Sequence, residues 1–274
     1  MGEEMSETGG FIVIGERINA TRKPIRAAIK KRDAEFIRNE ARAQAAAGAH
    51  YIDVNAGASP ATEADDLKWL VEVVQSAVEL PLCLDSPSPA VLKGALSLVE
   101  KRPIINSITA ESQKIAAILP LVVEHETSVV GLCMSESGMP EGIEQRIAAV
   151  ETMVKAIEAA GLPLSRVYFD PAICPVSTSP SESLAAIEAV RRIKSLFEGA
   201  RTTCGLSNIS FGLPNRNVLN RAYLVMLMGA GLDSAIMDPT EPGMATLVIT
   251  GDALMTRDEY CMSYIRAARE GRLS

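Results

Sequence analysis

The chain has 274 residues, enough for one large domain, with 47% apolar, 22% charged and only 4% aromatic residues, the balance of a globular protein packed mainly through aliphatic side chains. A net charge of −7 argues against a nucleic-acid partner, which leaves a basic footprint, and no apolar run approaches the roughly 20 residues of a membrane span. The polar, Glu-rich residues 1–10 show no basic and then apolar leader; they read as a disordered tail before a single domain over 11–274, in a cytoplasmic protein.

Short apolar segments then alternate with longer segments of helical period. A strand is predicted at about 11–15, followed by one long helix over 24–48 that stops at Gly48. The second strand starts at Tyr51 and ends at Asp53 or Val54. The helix over 62–78 shows a 3.6-residue stripe of Leu67, Leu70, Val71, Val74 and Val78. Further strands are predicted at 81–86, 103–108, 128–134, 166–171, 202–208 and 234–239. Helices follow them near 88–100, 111–125, 141–160, 181–198, 215–230 and 242–253, and a last amphipathic helix lies at about 256–270. Regular alternation implies parallel strands with right-handed crossovers, and eight units in about 260 residues close into a single-domain (β/α)8 barrel. An open doubly wound sheet is the runner-up, but its G-x-G-x-x-G after the first strand is absent.

Five scattered cysteines without a C-x-x-C pair, and two isolated histidines, His50 and His125, point to reduced thiols and to no zinc site.

In such a barrel, chemistry sits where the strands end. Glu16, Arg17 and Asn19 end the first strand, Asp53 and Asn55 the second, Asp85 the third and Asn106 the fourth. Asp170 ends the sixth, Ser207 and Asn208 the seventh, and Asp238 the eighth. One aspartate after a strand is more often a helix cap or a turn residue, and Asp85-Ser86-Pro87 and Asp238-Pro239 both look like helix starts. Caps do not account for the whole ring, which is rich in acceptors and amides and poor in cations. A phosphate or carboxylate ligand calls for the opposite polarity. A neutral heterocycle with an amidine-like edge fits, because a carboxylate accepts from a ring N–H and its neighbouring amino group together; a 2-amino-4-oxo pterin has that edge. A divalent metal held by carboxylates is the second choice.

The segments IGERIN (14–19), DVNAG (53–57), LCLDS (82–86), IINSI (104–108), YFDPAICP (168–175) and GLSNIS (205–210), in that order, resemble the pterin-binding methyltransferases, above all the methyltetrahydrofolate:corrinoid methyltransferases, over about 11–266. The resemblance implies a methyltransferase that moves a methyl group between N5 of tetrahydrofolate and the cobalt of a corrinoid, in either direction. It implies that Asp85, Asn106 and Asp170 anchor the pterin and that Asn208 is the catalytic group near N5. Glu16, Asn19, Asp53 and Asn55 would shape the floor and order water, and Lys194 and Arg216 would be folate-contacting cations. Phe211, where close relatives often carry a polar residue, would stack or pack against the folate. All eight units are used by the barrel, so the corrinoid would arrive on a partner protein, no metal would be bound by this chain, and a homodimer is expected. The alternatives are a dihydropteroate synthase-like condensing enzyme, whose basic Ser-Arg-Lys after strand seven is missing, and a non-catalytic folate-binding protein.

Overall fold

The computed structural model describes residues 9–273; residues 1–8, most of the expected tail, lie outside it. Eight parallel strands form one sheet: β1 (Ile12–Asn19), β2 (Tyr51–Asn55), β3 (Leu82–Asp85), β4 (Ile104–Thr109), β5 (Ser128–Leu132), β6 (Val167–Asp170), β7 (Arg201–Thr202) and β8 (Ser234–Met237). Each strand pairs with the next from β1 to β7, and β1 also pairs with β8. β7 and β8 meet through Ile236 N–H to the Cys204 carbonyl (2.8 Å), the Gly205–Ile236 bridge, and Ser234 Oγ to the Thr202 carbonyl (3.1 Å). These bonds close the barrel.

The helices are α1 (Lys23–Lys31), α2 (Ala34–Ala46), α3 (Glu63–Gln75), α4 (Pro89–Leu96), α5 (Ser112–Glu124), α6 (Gly142–Ala159), α7 (Pro180–Leu196), α8 (Arg216–Gly229), α9 (Met244–Leu254) and α10 (Met262–Arg269). The long helix expected over 24–48 is two. Arg32 takes a left-handed conformation (φ 53°) and Asp33 caps α2 by accepting from the Phe36 N–H, so the Arg-Asp pair breaks a run whose apolar period alone continues. The seventh strand is far shorter than expected. After Thr202 the chain keeps only single bonds to its neighbours, Thr203 N–H to the Phe169 carbonyl and the Gly205–Ile236 bridge, and Leu206–Ser210 then forms a 3-10 turn. The last helix starts only at Met262, after Tyr260 and Cys261, both at positive φ.

Strand period 2 sorts the side chains. Ile52, Val54, Leu82, Leu84, Ile105, Val129, Val167 and Phe169 face the helices and join the main core. Ile14, Cys83, Ile104, Val130 and Tyr168 pack together inside the barrel. The residues in phase with these interior positions are Glu16 on β1, Asp53 and Asn55 on β2, Asp85 on β3, Asn106 on β4 and Asp170 on β6. A ring of polar groups therefore lies above a floor of apolar ones.

Two register irregularities fall at this rim, between Gly15 and Ile18 on β1 and between Asn106 and Ile108 on β4. Bulges near strand ends re-aim side chains. On β1 the Arg17 N–H is met by Gln44 Oε1 of α2 at 2.9 Å, and the fully buried Gln44 lies directly over Gly15, where an added Cβ would collide with its amide oxygen. Gly15→Ala is expected to cost about 1–3 kcal/mol by overpacking and to loosen the bulge. Thermal unfolding, compared with a surface glycine such as Gly9→Ala, checks it.

Candidate functional site

Two amide–acid pairs occupy the β2–β4 side of the mouth. Asn55 Nδ2 donates to Asp85 Oδ2 (3.0 Å) while Asn55 Oδ1 accepts from the Gly57 N–H (3.0 Å). Asn106 Nδ2 donates to Asp53 Oδ1 at 3.4 Å. Cross-strand register places these residues side by side: Asn55 is opposite Asp85, and Asp85 opposite Asn106. Burial pushes Asp85 up to about 6, and burial, with the Asp85 charge second, pushes Asp53 well above the usual carboxylate range.

Asp170 stands across the mouth and is 7% exposed. Its two oxygens accept from the Ala172 N–H (2.8 Å) and the Gly205 N–H (3.2 Å). Burial raises it to about 6, against the pull of these two bonds and of Arg146. Arg146 of α6 is fully buried. It donates to the carbonyls of Pro171 (2.6 Å), Ala172 (3.1 Å) and Gly142 (2.8 Å) and pairs with Glu182 at 2.6 Å, which pins the loop that follows Asp170.

The third group is built on the turn after β7. Ser207 Oγ donates to Glu16 Oε1 at 2.5 Å. Arg216 holds the turn with Nη2 on the Ser207 carbonyl (2.6 Å) and Nε on Ser210 Oγ (3.0 Å), and Ser210 donates to the buried Asn220 (2.7 Å). Asn208 is exposed at the crest, its amide against the Gly205 α-carbon, where a Cβ would stand 2.9 Å from Nδ2. Glycine at 205 gives Asn208 its room.

The structure thus brings Asp53, Asn55, Asp85, Asn106, Asp170, Glu16, Asn208 and Arg216 to one rim. It treats three other candidates differently. Asn19 Oδ1 accepts from the Thr21 N–H (3.0 Å) and Thr21 Oγ1 (2.7 Å), a turn-forming use. Phe211 follows the turn with its side chain outward, 65% exposed, and its carbonyl accepts from Ser177 Oγ. Lys194 corrects its expectation. At the C-terminal end of α7 it binds the Ala200 carbonyl (3.0 Å) and Asp233 (2.9 Å), beside the starts of β7 and β8, because a barrel helix returns the chain to the face opposite the mouth. Asp238 does not start a helix, since α9 begins only at Met244 with Gly243 as its N-cap; it serves a turn, its Oδ1 accepting from Thr240 N–H and Oγ1 while Arg17 occupies Oδ2 at 2.7 Å.

Residue-type reasoning passed over Arg146, Glu182 and Glu63. Glu63 is buried and accepts from Ser86 Oγ at 2.6 Å. The signal for Arg146 was present: it sits on the apolar stripe of α6 with Val150, Met153 and Ile157, and a charge on a buried stripe must be paired. Among the described residues no three His, Cys, Asp or Glu side chains are grouped to hold a metal ion, and no helix is long and apolar enough to cross a membrane.

The family model of pterin binding enzymes matches residues 15–238, from one residue before Glu16 to Asp238. The chain belongs to the pterin-binding enzyme family. Within it, the chain is 37% identical over 265 residues to a methylcorrinoid:tetrahydrofolate methyltransferase of Eubacterium limosum, covering 96% of this chain and 98% of that one. It is 33% identical over 245 residues to the methionine synthase of Mycobacterium tuberculosis, covering 85% of this chain and 21% of that protein. In fold it is similar to the dihydropteroate synthase of Thermus thermophilus (TM-score 0.70, 20% identity, 89% of this chain and 94% of that one). It is likewise similar to that of Coxiella burnetii in complex with pteroic acid (TM-score 0.69, 15% identity, 90% and 94%). The expected barrel and the expected family both hold.

The raised Asp85 carboxyl yields a stability test for this pterin-binding enzyme. With a folded-state value near 6, the folded protein keeps a proton that the unfolded chain, near 3.8, has released. The folding penalty grows between those values and is complete above about 6. Asp85→Asn should raise the melting temperature by a few degrees at pH 8, for about 1–2 kcal/mol, and leave it nearly unchanged at pH 4, while weakening pterin binding. Calorimetry at the two pH values, with pterin titration, checks both.

Proposed function

We propose that this chain transfers a methyl group between N5 of tetrahydrofolate and the cobalt of a corrinoid carried by a second protein. The observation that carries the reading is the likeness to the methylcorrinoid:tetrahydrofolate methyltransferase across nearly the full length of both chains. The mouth supports it. Asp85 and Asp170 offer acceptors to the N–H and amino edge of a pterin, and Asn106 offers a donor and an acceptor to the other edge. Both carboxyls lose hydration on burial, and a ligand that donates to them restores what burial removed. Asn55 and Asp53 hold the two amide–acid pairs in place, and Arg216, exposed on the rim, can meet the carboxylate-bearing tail of a folate.

N5 changes charge during the reaction, neutral in one state and ammonium-like in the other. Asn208, exposed on its turn, stabilises the ammonium-like state by accepting a hydrogen bond through Oδ1, an effect that grows with the charge. Nothing in this site requires one direction. The methylcorrinoid is a substrate delivered by its carrier, and the exposed Phe211 and Ser177 loop borders the face it approaches.

The barrel also pairs with a second copy of itself in this reading. A groove of about 800 Å³ between α6, α7 and α8 is lined by Ile143, Leu184, Val225 and Met226, with Leu184 64% exposed, and burying that apolar surface favours association. The five cysteines, all unpaired, support a reducing cytoplasm.

Demethylation of methylcobalamin on mixing with tetrahydrofolate and the enzyme, followed by its absorbance change, tests the reading. Asn208→Ala should slow methyl transfer by about 10²–10³-fold and weaken tetrahydrofolate binding far less. Equal losses in both would make Asn208 a binding contact only.

A further inference from the structure

Methylation of tetrahydrofolate leaves a proton to be disposed of. N5 carries a hydrogen, and once its lone pair has formed the C–N bond it is a tertiary ammonium. The reverse reaction needs that proton returned. An amide such as Asn208 neither takes up nor releases a proton near neutrality, so another group must hold it.

Five strand-end carboxyls stand at the mouth, and their partners separate them. Asp238 is neutralised by Arg17. Asp170 uses both oxygens on backbone N–H groups. Asp53 and Asp85 accept from the amides of Asn106 and Asn55, and Asp53 also meets the Cys83 thiol, which is sealed in the barrel floor away from the mouth. Glu16 is paired with a hydroxyl, Ser207 Oγ, at 2.5 Å. A hydroxyl donates and accepts at once, so it can pass a proton on, whereas an amide N–H only donates. Glu63 also meets a hydroxyl, but Ser86 Oγ is at the same time fixed as acceptor for the Ser88 N–H.

Ser207 immediately precedes Asn208 on the turn Leu206–Ser210, and Arg216 clamps that turn through the Ser207 carbonyl rather than through the hydroxyl. The groups around Glu16 are Ser207 and Cys204 from the β7 side, Asp238 after β8, Asp53 on β2, and the cations Arg22 and Arg216. Arg17, its neighbour in sequence, is turned away to Glu40 and Asp238. Burial first, and Asp238 after it, lift Glu16 to about 7, against the opposing pull of Ser207, Arg22 and Arg216, which suits exchange of a proton at neutral pH.

We propose that Glu16 is the proton reservoir of the methyl transfer and exchanges the N5 proton through the Ser207 hydroxyl. The inference rests on the methyltransferase reading above. In folate methylation the N5 lone pair attacks the methyl carbon and the C–N bond forms. The cobalt–carbon bond breaks with its electron pair left on cobalt. The N5 proton then passes to the Ser207 oxygen as the hydroxyl's own proton moves to the Glu16 carboxylate. Demethylation of methyltetrahydrofolate runs the same path backwards, with Glu16 starting protonated. Glu16 acts through Ser207 and is a positioning residue for the proton.

Single-turnover methyl transfer between pH 5.5 and 8.5, with free methylcobalamin and tetrahydrofolate in one direction and cob(I)alamin and methyltetrahydrofolate in the other, tests the relay. For the wild type the first rate should rise through about pH 7 to a plateau and the second should fall through the same value. Glu16→Gln should abolish that inflection in both directions and lower the favourable-limb rate by about 10²-fold, with tetrahydrofolate affinity by calorimetry changed less than about 3-fold. Ser207→Ala keeps the carbonyl that Arg216 holds. It should lose the inflection as well, and it carries the test if Glu16→Gln does not fold. An unchanged profile in a folded variant, or a rate loss matched by lost folate binding with the inflection kept, overturns the relay. Absence of transfer by the wild type in both directions overturns the methyltransferase reading instead.

Discussion

The burial of several carboxyl groups at one end of a parallel barrel is the constraint on which the rest of this structure turns. Asp53, Asp85, Asp170 and Glu16 lie above an apolar floor, and in each case burial is the dominant influence and favours the protonated form. None of the cations of the mouth pairs directly with these four acids: Arg17 binds Glu40 and Asp238, Arg216 holds backbone and hydroxyl oxygens, and Arg146 lies behind the loop after β6. The acids are satisfied by amides, backbone N–H groups and one hydroxyl, which stabilise them without neutralising them. A site of this kind is poised for a ligand that brings hydrogen-bond donors.

Such a rim is sustained by the scaffold beneath and around it. Interior positions of the strands switch from Ile14, Cys83, Ile104 and Tyr168 to acids and amides within one strand period. The apolar floor keeps the dielectric low and the ends keep the polar groups in reach of ligand. Arg201 stacks on Tyr168 at 5.6 Å from the ring and donates to its hydroxyl at 2.9 Å, fastening the floor from the opposite end. The short β7 has a use in this frame. Because regular strand pairing stops at Thr202 and the last bridge to β8 is at Gly205, the residues from Leu206 are free to curl into the turn that presents Ser207 to Glu16 and Asn208 to the mouth.

The chemistry assigned to the site divides along the same line. In the proposed reading, pterin recognition falls to the β2–β4 and β6 side, where acceptors are fixed by amides and backbone. Charge stabilisation and proton handling would then fall to the β1–β7 side, where a hydroxyl and an uncommitted amide share one turn. A methyl transfer that must work on an amine of changing charge needs both functions, and a folate bound as proposed would span them.

Much of this was legible in the residues themselves. Eight apolar segments alternating with helical ones, seven of the eight strands ending in an acid or amide, determined the barrel, its mouth and the pterin-like polarity, because strand alternation and chain direction alone place such residues inside and at one end. The break at Arg32-Asp33, the curtailed β7, the reach of Lys194 to Asp233 at the far face and the burial of Arg146 were decided by tertiary packing. So was the Glu16–Ser207 contact. It joins residues 191 positions apart, and no local period encodes the distance between two strand ends that meet only when the barrel closes.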